Sequence, residues 1–243
     1  QSTGPGGPPA AISLRNKVIT LHRFLEQNHY LPVKWNDTSS AMLYKKWMEK
    51  LDDQKLFFTQ NEIAILETYK TKLDDELAGR SWEFYDKSTA LYKLCLKRTD
   101  SILQLLLAKP FDFSKPDNVV WPFTSNAQSV AELSQRWQKF LKWRVLENIA
   151  GKLSDGGKTI SETLPADFVQ LEKDAREKAK KQERSFINGL LKTPEQFKTG
   201  MEDDYLNTIA WCYDPHTGYM SIKEKKEFDT EMSASEFSAG FEL

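Results

Sequence analysis

The stretch Asp214-Pro215-His216-Thr217-Gly218-Tyr219 divides the chain into two parts of different character. Residues before it carry apolar side chains at helical spacing, whereas residues after it contain Ser and Gly and suggest a short extended segment. An Asp before a Pro favours a turn, because its carboxylate can accept the backbone N–H of His216 or Thr217 and Pro215 presets φ. Gly218 then frees the backbone to change direction. The stretch predicts a turn that joins a helical domain to the C-terminal segment.

Asp214 and His216 also admit a chemical interpretation, as a metal-binding pair or as part of a catalytic triad. A metal site needs three or four converging ligands, and a triad needs a Ser or Cys nucleophile held against the His. The local sequence supplies neither, so a structural turn explains these residues more simply. We therefore predict no catalytic residue, no metal ligand and no cofactor-binding residue in this chain.

Composition narrows the functional classes. The chain has 243 residues, of which 40% are hydrophobic, enough for a real core. Its net charge of -1 gives no electrostatic argument for nucleic-acid binding, even though residues 136–144 mix basic and aromatic side chains. No apolar run reaches membrane-spanning length. Seven Trp residues at helical spacings indicate aromatic-rich packing between helices.

The periodicity predicts a mainly α fold, a multi-helix bundle-like domain with a short extended or β fragment at the C-terminus. Capping boxes at Thr59/Glu62 and Ser129/Glu132 mark two helix starts, and Gly151 is predicted to follow the end of the second of these helices. The remaining predicted helices cover residues 11–28, 38–51, 81–108, 166–192 and 202–213. His22 lies next to the apolar stripe of the first helix and is interpreted as a packed or surface side chain.

Three groups of polar residues require a choice between structure and chemistry. The carboxylates Asp52, Asp53, Asp74, Asp75 and Glu76 lack the alternation and central Gly of a calcium loop, so they are predicted to be solvated helix ends. Residues 172–185 have little apolar surface and carry opposite charges four apart, which predicts a solvent-facing connector. Cys95 and Cys212 fall in apolar patterns, so buried free thiols are favoured, although an oxidising compartment would permit a disulfide.

Several motifs, taken in order, resemble one protein family. They are His29-Tyr30-x-Pro32, Leu51-Asp52-x-x-Lys55-x-Phe57-Phe58, Leu73-Asp74-Asp75, Phe111-Asp112-Phe113, Trp121-Pro122, the stretch from Asp214 to Tyr219, and Phe228-x-x-Glu231-Met232-Ser233. This series is similar to the helical N-terminal domain and the pre-PDZ junction of the tail-specific proteases, also called carboxy-terminal processing peptidases of family S41. The chain departs from the family at Ser221-Ile222, where Ser-Pro is usual, and at residues 237–241, where Gly-Ile-Gly is usual.

Residues 1–10 are rich in Gly and Pro and have no charged or aromatic side chain, which predicts a flexible leader. The resemblance implies a helical N-terminal domain over 11–213 and the junction with the start of a PDZ region over 214–243, ending in a strand over 236–243. The family is periplasmic, and its Ser nucleophile and Lys base lie beyond the PDZ domain, so this chain is expected to lack them. Gln1 is not an initiator Met, which is compatible with removal of an export signal.

The implied function is non-catalytic: helping to enclose and guide unfolded carboxy-terminal tails to the PDZ and the Ser/Lys site. The implied partners are substrate tails, the PDZ and catalytic domains and an adaptor protein. The alternative is a free-standing helical scaffold that binds a partner protein with no peptidase attached.

Overall fold

The structure is a computed structural model that describes residues 12–115, 117–118, 122–156 and 165–236. Helices dominate these residues, and no strand occurs among them beyond an isolated bridge between Thr59 and Ala127. The helices in chain order are α1 Leu14–Asn28, α2 Asp37–Asp52, α3 Gln60–Glu67, α4 Leu73–Leu77, α5 Phe84–Leu106, α6 Val130–Asp155, α7 Phe168–Leu191, α8 Pro194–Tyr213 and α9 Ile222–Glu236. The predicted mainly helical class is confirmed. None of the helices in these ranges combines the length and apolar character of a membrane span.

The chain forms two compact units. The first unit comprises Gln1–Trp47, Tyr69–Glu83 and Lys198–Leu243, and the second comprises Met48–Thr68 and Phe84–Phe197. Each unit has its own set of fully buried apolar side chains, so each is described separately.

The first unit is built around two aromatic residues. The rings of Trp47 and Tyr205 meet edge to face with centroids 4.9 Å apart, and both side chains are completely buried. Helix α1 packs against α4. The turn after α4 requires a glycine, because Gly79 has a φ of 80° and a Cβ there would lie 2.7 Å from Ile19 Cδ1.

The second unit is dominated by the long helices α5, α6 and α7, which pack on one another, with α3 against α5. Their facing sides are lined by fully buried apolar residues at helical spacing: Leu96, Leu103, Leu133, Leu141, Val145, Ala179 and Ile187. Leu94 and Leu105 of α5 lie outside this buried side and are 62% and 75% exposed. The buried stripe of α5 passes through Tyr92, Cys95, Leu96 and Leu103.

Helix α7 contradicts the predicted solvent-facing connector. Glu172 and Arg176 are both buried and joined by an Arg176 Nε to Glu172 Oε1 hydrogen bond of 2.9 Å. Arg176 also donates to the carbonyl of Leu107 (2.9 Å), and the N–H of Phe111 donates to Glu172 Oε1 (3.2 Å). The prediction failed because residues 172–185 carry few apolar side chains. Ala179 and its buried neighbours form only a narrow stripe on α7, and the ion pair of Glu172 and Arg176 makes further buried contacts.

Two further boundaries differ from prediction. Gly151 lies inside α6, which continues to Asp155 and is capped by Gly156. The segment after the junction, predicted to be extended, forms helix α9 instead. Its start is a local capping box, in which Ser221 N–H donates to Glu224 Oε2 (2.8 Å) and Glu224 N–H donates to Ser221 Oγ (3.2 Å). Local capping thus specified a helix where the Ser and Gly content suggested extended chain.

The predicted helix starts are confirmed. Glu62 Oε2 accepts the N–H of Thr59 at 2.8 Å, and α3 begins there with a capping box. Ser129 Oγ accepts the N–H of Glu132 at 3.2 Å, while Glu132 reaches one residue further back, to the N–H of Gln128 (2.8 Å). The predicted leader at residues 1–10, residues 237–243 of the predicted C-terminal strand and Trp121 lie outside the described residues.

Candidate functional site

The candidate site is the junction, defined as residues 214–219, together with the strap, defined as residues 29–35 between α1 and α2. Asp214 Oδ1 accepts the backbone N–H of His216 at 2.6 Å, and the Asp214 carbonyl accepts the N–H of Thr217 at 3.0 Å. The predicted turn carboxylate is therefore confirmed. Asp214 uses Oδ1 to accept a backbone N–H, as the Asp side chain of an Asx turn does.

The strap holds the junction through two side chains. Tyr30 donates its O–H to Asp214 Oδ2 at 2.6 Å, and His29 Nε2 lies 3.0 Å from Thr217 Oγ1. The hydrogen bond from Tyr30, followed by that from the His216 N–H, holds the pKa of Asp214 below its usual range. The same bond to Asp214 raises the pKa of Tyr30. The His29-Tyr30 pair of the first motif thus meets the junction motif.

Tyr213, the last residue of α8, is the buried centre of this site. Its oxygen accepts the indole N–H of Trp35 at 2.8 Å and lies 3.1 Å from Nδ1 of His22. The ring packs with Leu25 and Ala210. Burial raises the pKa of Tyr213 to about 12. The end of α8 is therefore fixed against both α1 and the strap.

His22 was predicted to be either a packed or a surface side chain, and the structure shows that it is buried. Its Nε2 lies 3.4 Å from Glu26 Oε2, and its ring meets Trp35 edge to face at 5.7 Å. Burial lowers the pKa of His22, an effect that Glu26 opposes and Arg23 adds to.

Two contacts along α8 complete the site. Asn207 Oδ1 accepts the N–H of Tyr219 at 2.8 Å, which fixes the far end of the junction. Lys17 of α1 pairs with Glu202 of α8 at 3.1 Å. Sequence patterns did not point to Asn207, Trp35 or Tyr213. Trp35 and Tyr213 are 178 positions apart, and Asn207 lies 12 positions before its partner Tyr219, so no motif of a few residues reveals these contacts. The available signal for this site was the presence of His and Tyr residues in both the strap motif and the junction motif.

The acidic residues divide into buried and exposed groups, which corrects the prediction of solvated helix ends. Asp52 and Glu76 are 3% and 1% exposed. Asp52 accepts the N–H groups of Leu56 (2.7 Å), Phe57 (3.1 Å) and Phe58 (2.9 Å). Burial raises the pKa of Asp52 to about 6, although these bonds favour its charged form. Asp52 therefore organises the Lys55-x-Phe57-Phe58 motif by holding its backbone.

The second acidic group also serves structure. Glu76 Oε1 accepts the N–H of Glu83 at 2.7 Å, and Asp74 Oδ1 accepts the hydroxyl of Ser40 at 2.7 Å. Asp75 pairs with Arg80 at 2.7 Å on the surface. These carboxylates tie α4 to its neighbours within the first unit.

The described residues contain no group of three or more His, Cys, Asp or Glu side chains that could hold a metal ion. Cys95 and Cys212 are buried free thiols, as predicted, and burial raises the pKa of each to about 12. Thiols with such pKa values supply almost no thiolate at neutral pH. What the site can do is fix the direction in which the chain leaves α8.

Comparison with known proteins gives a consistent result. The sequence model described as the tail specific protease N-terminal domain matches residues 21–223, from α1 to the first residues of α9. The tail-specific protease of Haemophilus influenzae is 28% identical over 222 residues, which cover 87% of this chain and 28% of that protein. The chain therefore spans little more than a quarter of the length of this curated relative.

Proposed function

Because this chain belongs to the family of tail specific protease N-terminal domains, we propose that it is the non-catalytic front part of a tail-specific serine protease. The observation that carries the proposal is the family match over residues 21–223, which spans both compact units and includes the whole junction. In this proposal residues 11–213 are the helical domain and residues 214–243 lead into a PDZ region. The Ser nucleophile and Lys base belong to the rest of the protease.

The role we assign to the domain is confinement of the substrate. Holding an unfolded tail near a cleavage site raises its effective concentration without altering the chemical step. The partners are therefore unfolded carboxy-terminal tails, the PDZ and catalytic domains, and an adaptor protein. We place this protease in the bacterial periplasm, in keeping with the family resemblance.

A cleft on the second unit supports contact with unfolded chain. It has a volume of about 350 Å³. Its lining consists of three aromatic rings, two side-chain amides and one ion pair: Phe140, Trp143, Phe186, Gln54, Gln182, Arg144 and Glu183. Trp143 is 42% exposed and Phe186 is 54% exposed. Aromatic walls with a few polar groups suit apolar side chains on a peptide whose backbone needs hydrogen-bond partners.

The first test removes the domain. Deleting residues 1–213 from the full-length protease should slow cleavage of a long unfolded protein with an apolar carboxy terminus much more than cleavage of a short peptide. Retained cleavage of the short peptide shows that the catalytic part is still folded. Equal slowing of both substrates would contradict confinement. The isolated chain should cleave neither substrate, and reproducible cleavage after control for contaminating proteases would contradict the non-catalytic assignment.

The second test addresses the cleft. In the full-length protease, replacing Trp143 and Phe186 together by Ala should slow cleavage of the long substrate and leave the short peptide unaffected. The matched control is Val169→Ala, which removes an 84% exposed apolar side chain of α7 that does not line the cleft. If the control and the double variant behave alike, the cleft has no role in handling tails.

A further inference from the structure

All three histidines of the chain lie at one place. His22 is in the last two turns of α1, His29 is the residue that caps α1, and His216 is in the junction turn. His22 and His29 contact Tyr213 and Thr217, which flank Asp214 on either side. Histidine is the side chain whose charge changes most readily near neutral pH. All three histidines therefore lie close to the exit of α8.

The direction of the buried hydrogen bonds is determined by the chemistry of their donors. An indole N–H can only donate, so Trp35 donates to the Tyr213 oxygen. An ionised carboxylate can only accept, and Glu26 Oε2 lies 3.4 Å from Nε2 of His22, so the single proton of the neutral imidazole is assigned to Nε2. Nδ1 is then an acceptor, and the Tyr213 hydroxyl donates to it over 3.1 Å. Every polar atom of the relay has a partner when His22 is neutral.

Protonation of His22 disrupts this relay. A proton on Nδ1 turns the acceptor into a donor, and the Tyr213 hydrogen loses its partner in a place where the residue is 5% exposed. The groups facing His22 are Glu26 and Arg23 of α1, Tyr213 of α8 and Trp35 of the strap. Glu26 favours the charged imidazole, whereas Arg23 and burial oppose it, and burial is the largest effect.

We propose that Trp35, Tyr213 and His22 form a pH-sensitive latch, which holds the junction in place at neutral pH and loosens it in mildly acidic solution. The latch lies wholly in the first unit and goes beyond the proposed function, since it does not depend on any peptidase. Loosening reaches the junction directly because Tyr213 precedes Asp214, whose turn is anchored by the same strap.

Linkage gives the sign of the effect. The pKa of His22 is lowered from an ordinary value of 6.5, so in the pH range just below 6.5 the open form binds a proton that the closed form does not. The closed form therefore loses stability as the pH falls through this range. One proton limits the change to about tenfold per pH unit in the equilibrium between closed and open forms.

The test measures hydrogen exchange of single amides between pH 7.5 and 5, corrected for intrinsic exchange rates. The protection factors of the His216, Thr217 and Tyr219 amides should fall several-fold as the pH drops, whereas the Gly79 amide of the same unit, which bonds to the Glu76 carbonyl, should not change with them. In the unaltered chain the imidazole carbons of His22, observed by NMR, should titrate below pH 6.5. Titration of His22 above this value would overturn the proposal.

Two matched variants identify the responsible histidine. His22→Asn keeps an oxygen acceptor for the Tyr213 hydroxyl but cannot titrate, so junction protection should become independent of pH. His216→Asn removes a histidine of the same junction that contributes its backbone N–H to the turn, so the pH dependence should persist. A pH dependence of junction protection that persists in His22→Asn, or that is lost in His216→Asn, would overturn the latch. If His22→Asn does not fold, the NMR titration of the unaltered chain and the His216→Asn result decide the question.

Discussion

Single carboxylates hold the backbone at two places in this chain. Asp52 ends α2 and accepts three consecutive backbone N–H groups, so one side chain shapes the path from Lys55 to Phe58. Asp214 does the same for the junction, with one oxygen on the backbone and one on Tyr30. Asp52 is 3% exposed and Asp214 is half-buried. Burial raises the pKa of Asp52, whereas the hydrogen bonds from Tyr30 and the His216 N–H lower the pKa of Asp214.

The raised pKa of Asp52 should make the stability of the fold depend on pH. Its value of about 6 lies above the ordinary 3.8, so the folded state binds an extra proton between these values and stability falls as the pH rises through this window. The shift corresponds to at most about 3 kcal/mol. In Asp52→Asn this part of the pH dependence should be absent. Urea unfolding at several pH values between 4 and 7 measures it as the difference between the two proteins.

The neighbouring residue provides the control for this experiment. Asp53 is exposed, so Asp53→Asn should give a stability profile parallel to that of the unaltered chain. A profile for Asp52→Asn that also runs parallel would show that Asp52 does not carry this proton.

At the scale of elements, α7 shows how a helix with few large apolar residues can be buried. The pair of Glu172 and Arg176 joins α7 to the end of α5 and to the loop after it. Phe113 of that loop packs edge to face on Phe168, at the start of α7, with centroids 5.5 Å apart. Helix and loop are therefore organised together by one buried ion pair and one aromatic contact.

We expect Arg176→Met to lower the free energy of unfolding by about 3 to 5 kcal/mol, because it leaves the Glu172 charge buried without its partner. Replacing Glu172 by Leu and Arg176 by Met together should cost less than the single change, since no uncompensated charge remains. The same substitution at the exposed Lys173 of α7 serves as the control and should have little effect. Thermal or urea unfolding distinguishes these outcomes, and a double variant as unstable as the single one would contradict the explanation.

Much of this architecture could be read from the sequence, and the failures have physical causes. The capping boxes at Thr59 and Ser129 and the turn at Asp214 were predictable because they depend on residues a few positions apart. The burial of α7 was not, since a charged pair four apart looks the same on a buried face as on an exposed one. The contact between Tyr30 and Asp214 was equally invisible, because 184 positions separate its partners.

At the scale of the whole molecule, each compact unit contains one buried cysteine, Cys212 in the first and Cys95 in the second. Both thiols should therefore react with N-ethylmaleimide far more slowly in the folded chain than in urea, because burial raises each pKa to about 12 and shields the sulfur. Mass spectrometry of peptides after timed labelling reports each unit separately. A thiol that reacts at the unfolded rate in native buffer would show that its unit is open.

The junction has one more consequence, which concerns reuse of the domain. The turn amides of His216, Thr217 and Tyr219 are all bonded to Asp214 or Asn207, and Ser221 begins the next helix with its own cap. The turn after α8 is thus already hydrogen-bonded within the domain. A segment joined after Met220 need not accept a hydrogen bond from these three amides. We therefore expect that a different segment can follow Met220 without disturbing the turn.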